Sequence, residues 1–279
     1  MSPGHAARFR ALHRGPAPLV LPNAWDFASA AALAEAGFPA VGTTSLGVNA
    51  AHGLPDAAGA GRAAALALAR LLTRLPCPVT VDIEDGFSPD PADVATLAAE
   101  LAAAGVVGIN LEDGRGGGVL ADPAGQAVLI RAVRERVPGL FVNARIDTHW
   151  ARAEPADLAE TLARAERYVT AGADGVFVPG LSGADEIRAV AAAVPVPLNV
   201  LFDPSRHTLR GLARLGVRRV STGSLLFRAA LHATVGTALA VRDGTPLPPD
   251  LPAYADTDRL ARTWGAVTGE GPRPSPGGP

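Results

Sequence analysis

The sequence contains no lysine, so all 25 of its basic residues are arginine. A Schiff-base mechanism, which needs a lysine amine, is thereby excluded. Cysteine is almost absent too. Cys77 alone cannot form an internal disulfide, and a reducing, cytoplasmic setting is expected. Neither sign of charge is in excess, since 25 basic residues face 27 acidic ones. No basic run is longer than a pair, so nucleic acid is not an expected partner. Long apolar runs are missing as well. The alanine-rich windows are broken by Arg, Asp, Glu or Gly, and none reaches the roughly 20 apolar residues of a membrane span. The opening stretch MSPGHAARFRALHRGPAPLV has no apolar core of a secretory leader, so neither a leader nor a membrane partner is expected.

What is present is alternation. Eight short runs rich in Val, Ile and Leu read as strands: 19–22, 40–45, 79–84, 107–112, 141–146, 175–179, 197–201 and 219–223. Helical patterns lie between them. One runs from Asp26 to Ala36 and is closed by Gly37. Another runs from Pro91 to Ala104, with Asp90 as N-cap and Gly105 as stop. A third runs from Pro155 to Ala171 and stops at Gly172. Eight strand–helix units predict an α/β fold, a single-domain (β/α)8 TIM-type barrel. A doubly wound open sheet also alternates. Its first strand–helix turn should carry a glycine-rich fingerprint, which LPNAWD lacks. The expected division is an N-terminal segment 1–17, a barrel 18–245, a C-terminal helical segment 246–268 and a Pro/Gly-rich disordered tail 269–279.

Barrel chemistry sits at the C-terminal ends of the strands. There this chain places Thr44 and Ser45, then Asp82 and Glu84, Asn110 and Glu112, Asn143 and Arg145, and Asn199. Residues i and i+2 of a strand share a face, so Asp82 pairs with Glu84, and Asn143 with Arg145. Three carboxylates from adjacent strands, Asp82, Glu84 and Glu112, repel one another unless a cation joins them. Mg²⁺ is the usual choice for oxygen ligands completed by water, with Mn²⁺ an acceptable substitute. Arg145 adds a planar donor fork for a carboxylate or oxyanion. Each piece also has a plainer reading. Asp85 and Asp113 serve as loop or capping carboxylates, Arg145 as a structural partner of Glu112, and Asn199 as a partner of backbone groups. The convergence of all the pieces at one barrel end favours a site.

The stretches PNAWDFASAAALAEAGFPAVGTTS, HGLPD, VDIEDG, GINLEDG, NARID, GADGVFVPG and GVRRVSTGS, in that order, resemble the isocitrate lyase / phosphoenolpyruvate mutase superfamily over residues 18 to 240. The resemblance implies a Mg²⁺-binding barrel for a small 2-oxo-acid or its enolate, cleaving C–C or P–C bonds in the manner of a lyase or phosphonate enzyme. It implies metal ligation by Asp82, Glu84 and Glu112 and substrate binding by Thr44, Ser45 and Leu46, to which Asn199 at its strand end is added as an expected substrate-binding residue. It places Asp56 near the site, and Asp56 and Arg145 are the expected catalytic residues. A homo-oligomer, tetramer or dimer, with C-terminal helices exchanged, is also implied. The departures concern the second substrate fragment. Lyases of the family carry a Lys-(Lys/Arg)-Cys-Gly-His loop after the fourth strand, where this chain reads DGRGGGVLADP. The glycines there, residues 114–118, suggest a short flexible lid. His52, His149 and His207 are the candidate proton donors by position. A non-catalytic oxo-acid-binding barrel that has lost its loop acid is the alternative.

Overall fold

A computed structural model describes residues 3–150 and 157–265. Strand β1 comes in two pieces, Leu19–Leu21 and Asn23–Ala24, separated by Pro22. Proline has no N–H to give a ladder, but the Pro22 carbonyl accepts from the Gly42 N–H at 2.9 Å. The strands β2 (Val41–Thr43), β3 (Val79–Asp82), β4 (Gly108–Glu112), β5 (Phe141–Arg145), β6 (Gly175–Val178), β7 (Leu198–Leu201) and β8 (Arg219–Ser221) follow. Each pairs in parallel with the next. The first piece of β1 pairs with β8 and the second with β2, which closes the ring. Closure removes every open edge and excludes the doubly wound alternative.

The helices begin and end where local chemistry directs. Asp26 caps α2 (Phe27–Glu35) by accepting from Ser29 N at 2.7 Å, and the chain turns at Gly37, φ 86°. Asp90 caps α5 (Pro91–Ala104) by accepting from Ala92 N at 2.8 Å, and Gly105 ends it at φ 111°. Asp157 caps α7 (Leu158–Thr170); the start expected at Pro155 lies outside the described residues. Val81, Ile109, Leu111, Val142, Ala144, Val176 and Val178 are buried in the main apolar cluster, which joins the sheet to the helices. Alternate strand positions inside the barrel are polar and pair with one another. Asn143 Nδ2 donates to Asn110 Oδ1 at 2.9 Å, and Asn199 Nδ2 donates to Ser221 Oγ at 3.0 Å.

The N-terminal segment is ordered around a specific contact. Helix α1 (Pro3–Leu12) drives Phe9 among Leu19, Leu21, Ala40, Val107 and Phe141, closing the N-terminal end of the barrel. Phe9 meets Phe141 edge-on at 5.3 Å between ring centroids, and His13 stacks on Phe141 at 4.6 Å. After β8 the long helix α10 (Leu225–Asp243) leaves the barrel, and α11 (Tyr254–Leu260) returns to α2 through an Arg259–Glu35 ion pair. The expected tail 269–279 lies outside the described residues. No described helix is long and apolar enough to cross a membrane.

Candidate active site

Strand β3 ends at Asp82, whose N–H donates to Thr43 Oγ1 at 2.9 Å. Strand alternation does not carry Glu84 to the same place, because the strand stops before it. A tight turn does so instead. Glu84 takes φ +51°, followed by Gly86 at 94° and Phe87 at 59°. The Glu84 N–H donates to Asp82 Oδ1 at 3.2 Å, and the Glu112 N–H donates to the Glu84 carbonyl at 2.9 Å. The turn therefore sets Glu84 beside Asp82 and the end of β4. Left-handed backbone at a glutamate costs energy and marks a site that the surroundings impose.

Arg145, at the end of β5, faces these carboxylates. Its Nη1 makes an ion pair with Glu112 Oε2 and lies 3.9 Å from Asp82 Oδ2. Its Nε and Nη2 grip Asp147 in a two-toothed pair, at 2.7 and 2.9 Å. Burial works against the guanidinium charge, but Glu112, Asp147 and Asp82 outweigh it and hold the cation firmly. Burial pushes the carboxylates the other way. It raises Glu84 to about 7, against the Asn49 hydrogen bond that opposes it and with help from Asp82 and Asp56. Asp82 is raised, and Glu112 well above the carboxylate range, both by burial and both partly offset by Arg145. A pocket that disfavours its own negative charges is one that a cation would relieve.

A magnesium ion fits this donor set. Glu84 Oε2 is buried without a hydrogen-bond partner. Among the described residues no three His, Cys, Asp or Glu side chains are gathered closely enough to hold a metal ion by themselves. Mg²⁺ takes only one or two carboxylates directly and fills its shell with water and substrate oxygens, so no cage is required.

Two residues not singled out in the sequence complete this corner. Asn49, on α3 (Ser45–Ala51), donates from Nδ2 to Glu84 Oε1 at 2.7 Å and reaches Asp56 Oδ1 at 3.5 Å. Gly61 makes room for that bond, because a Cβ there would lie 3.1 Å from Glu84 Oε1 and collide with Asn49 Oδ1. Asp56 is thereby placed at the rim. Thr44 precedes α3 without a side-chain cap, and Ser45 and Leu46 form its first turn, where backbone N–H groups lack helical partners. Asn199 is turned elsewhere, since both ends of its amide meet Ser221.

Of the histidines, His52 Nδ1 donates to the Val48 carbonyl at 2.8 Å, and His207 Nδ1 accepts from Asp203 N at 3.1 Å. His149 lies against Thr148 and Thr161, with its pKa lowered by burial. The loop expected to be a free lid is a small antiparallel hairpin, Gly114–Arg115 against Val119–Leu120. Arg115 pins it by donating to the Gly114 carbonyl at 2.8 Å and to Gln126 Oε1 at 3.3 Å, and by pairing with Asp85 at 3.5 Å. Asp85 thus serves the loop and not the carboxylate cluster.

A closed parallel barrel with acidic strand ends and an arginine fork at its C-terminal mouth defines an enzyme of the TIM-barrel class. A family model for phosphoenolpyruvate phosphomutase matches residues 9–242. The chain belongs to this family, within the isocitrate lyase / phosphoenolpyruvate mutase superfamily of lyases, mutases and hydrolases. It is 48% identical to an uncharacterised protein of Mycobacterium tuberculosis, over 89% of this chain and 93% of that protein. It is 34% identical to 2-methylisocitrate lyase of Bacillus subtilis, over 69% of this chain and 65% of that enzyme. A solved lyase/mutase-type structure from Burkholderia cenocepacia superposes with a TM-score of 0.83 at 37% identity, covering 92% of this chain and 95% of the other. The fold is also that of a phosphonopyruvate hydrolase solved with oxalate and Mg²⁺, at a TM-score of 0.80 and 24% identity, over 92% and 95% of the two chains.

Proposed function

We propose that this protein is a Mg²⁺-dependent enzyme that acts on a small 2-oxo-acid, or a related carboxylate, through an enolate. The observation that carries this reading is that Asp82 and Glu112 face Arg145 while the turn sets Glu84 beside them, with Glu84 Oε2 buried and unpaired. Asp82, Glu84 and Glu112 would hold the ion, in part through water, and Mn²⁺ would serve in its place. When bound, the ion supplies Lewis acidity toward the oxygen on which negative charge develops. Arg145 keeps one N–H on each terminal nitrogen beyond its bonds to Asp147 and Glu112, and these donors face that charge. The first-turn amides at Ser45 and Leu46 orient the substrate carboxylate. Asp56, linked to Glu84 through Asn49, stands where a water or substrate proton is handled.

The hairpin at Gly114–Leu120 has no Cys, Lys or His, so the thiol proton transfer of isocitrate-type lyases has no carrier here. Decarboxylation of an oxo-diacid or cleavage of a P–C bond fits better. Purified protein assayed with oxaloacetate, phosphonopyruvate and methylisocitrate should turn over one of the first two, and a chelator should abolish that turnover. Silence on all three, with no Mg²⁺ binding, overturns the proposal. The bare hairpin also favours a second reading, a barrel that binds oxo-acids without chemistry. In that case oxalate with Mg²⁺ raises the melting temperature while every assay stays silent. A homo-oligomer built on α10 and a cytoplasmic setting complete the proposal. The lone buried Cys77 is in keeping with a reducing compartment.

A further inference from the structure

The sequence LEDG, residues 111–114, holds a second carboxylate beside Glu112 that the carboxylate cluster does not use. Asp113 is wholly buried. Its contacts tie the arginine fork on one side to α7 and the returning hairpin on the other, where its carbonyl accepts from Ala121 N at 2.8 Å. Its own N–H donates to the Arg145 carbonyl at 3.1 Å. Its Oδ1 accepts from the Asp147 N–H at 2.8 Å. Asp113 therefore holds the backbone on both sides of Ile146, the segment that aims Arg145 and Asp147. Its Oδ2 accepts from Arg164 Nη1 at 3.0 Å and from Tyr168 OH at 2.7 Å, both on α7. Arg164 and Tyr168 are themselves buried, and Arg164 Nη1 also donates to the Ala121 carbonyl at 2.9 Å, where the hairpin returns. Gly114 contributes by lacking a side chain, since a Cβ there would collide with Asp147 Oδ2.

We propose that Asp113, with Arg164 and Tyr168 behind it and Gly114 beside it, is the positioning assembly that fixes Arg145 toward the substrate. It acts through Asp147, which holds two of the guanidinium nitrogens. A flexible arginine between Glu112, Asp82 and Asp147 has several competing acceptors. Clamping Asp147 from α7 selects one rotamer and leaves the remaining Nη hydrogens available to a ligand. Asp113, Arg164 and Tyr168 touch no substrate in this arrangement; they are positioning residues. Helix α7 becomes the mechanical support of the site, and its sequence spacing Arg164-x-x-x-Tyr168 places both groups on one helical face. The substrate role of Arg145 rests on the proposed function, while the clamp itself does not.

Two readouts separate the two. The Arg145 Nε–H resonance, identified by its loss in Arg145→Met, should exchange slowly with solvent in the wild type. In Gly114→Ala and Tyr168→Phe it should shift and exchange faster by about tenfold, as expected for a weakened buried hydrogen bond. In the presence of Mg²⁺, Tyr168→Phe should weaken oxalate binding by about tenfold. That loss should vanish in an Arg145→Met background, a coupling that a merely destabilising change would not show. Unchanged Arg145 Nε–H exchange in a folded Tyr168→Phe protein overturns the inference. Disturbed exchange in the variants, together with a wild type that binds no oxalate with Mg²⁺, upholds the clamp and removes the proposed function.

Discussion

At Glu84 two costs fall on one residue: a left-handed backbone, φ +51°, and a buried carboxylate oxygen without a partner. The turn brings the carboxylate into the cluster, and the unpaired oxygen there is accounted for if the residue waits for a cation. The sign of the charge effect follows from its pKa. Glu84 is raised from 4.5 to about 7 in the fold. Its destabilisation is absent below the unfolded pKa and grows as pH rises through about 7, reaching up to about 3 kcal/mol. Glu84→Gln should therefore melt several degrees higher than wild type at pH 8 in chelator, and should lose the upward shift that Mg²⁺ gives the wild type. Calorimetric scans with and without Mg²⁺ check both. Arg145→Lys should lose activity by at least about tenfold, because an ammonium cannot replace the two-toothed grip on Asp147. The four charges were legible in the sequence because charge at the end of an apolar strand is conspicuous. Asn49 was not, since an asparagine in a seven-residue helix gives no hint of the glutamate it will meet across the barrel mouth. The alternation rule named Glu84 for the wrong reason: the turn, not the strand, brings it in.

Among the elements, capped helices were the easiest to read. Asp90 before Pro91 and Gly105 after Ala104 are local signals, and both termini fall where they point. Asp90→Ala should cost about 1 kcal/mol in denaturant unfolding, the usual worth of an N-cap. Helix α1 was illegible by contrast. Its value lies in Phe9 and His13 meeting Phe141, a partner far along the chain that no local pattern announces. The plug also carries a pH signature. Burial chiefly, with the Arg219 charge beside it, lowers His13 from 6.5 to about 4. A base whose folded pKa is depressed stabilises the fold above its unfolded pKa, and that contribution is lost as pH falls from 6.5 toward 4. Because His13 Nδ1 donates to the Phe9 carbonyl, the proton would enter at Nε2, which is buried and unpartnered. The stability difference between wild type and His13→Phe should thus shift against wild type by up to about 3 kcal/mol across that interval. Parallel denaturant titrations at pH 7 and pH 4.5 measure it.

For the whole molecule, eight alternating units were enough to foresee a closed ring, and Pro22 explains how one strand serves two neighbours. The polar interior of that ring was less apparent. Arg219 is buried at its base, over the Phe9 ring, and burial draws its pKa down to about 9 against the pull of Asp82. A second positive charge beneath the carboxylates complements Arg145 above, so the ring carries its own partial counter-charge and leaves the remainder to an ion. On the outside, Leu231, Val235 and Leu239 repeat every fourth residue along α10 and are exposed. If α10 forms the proposed homo-oligomer interface, Val235→Glu should shift the protein toward monomer in sedimentation velocity. The proposed function depends on the carboxylate cluster being a site for Mg²⁺ and an oxo-acid. Titration calorimetry of oxalate into wild-type protein, with Mg²⁺ and with chelator, tests it most directly. Binding with Mg²⁺, abolished by chelator and by Glu84→Gln, is the predicted result. Oxalate binding that ignores both, or no binding at all, would contradict it.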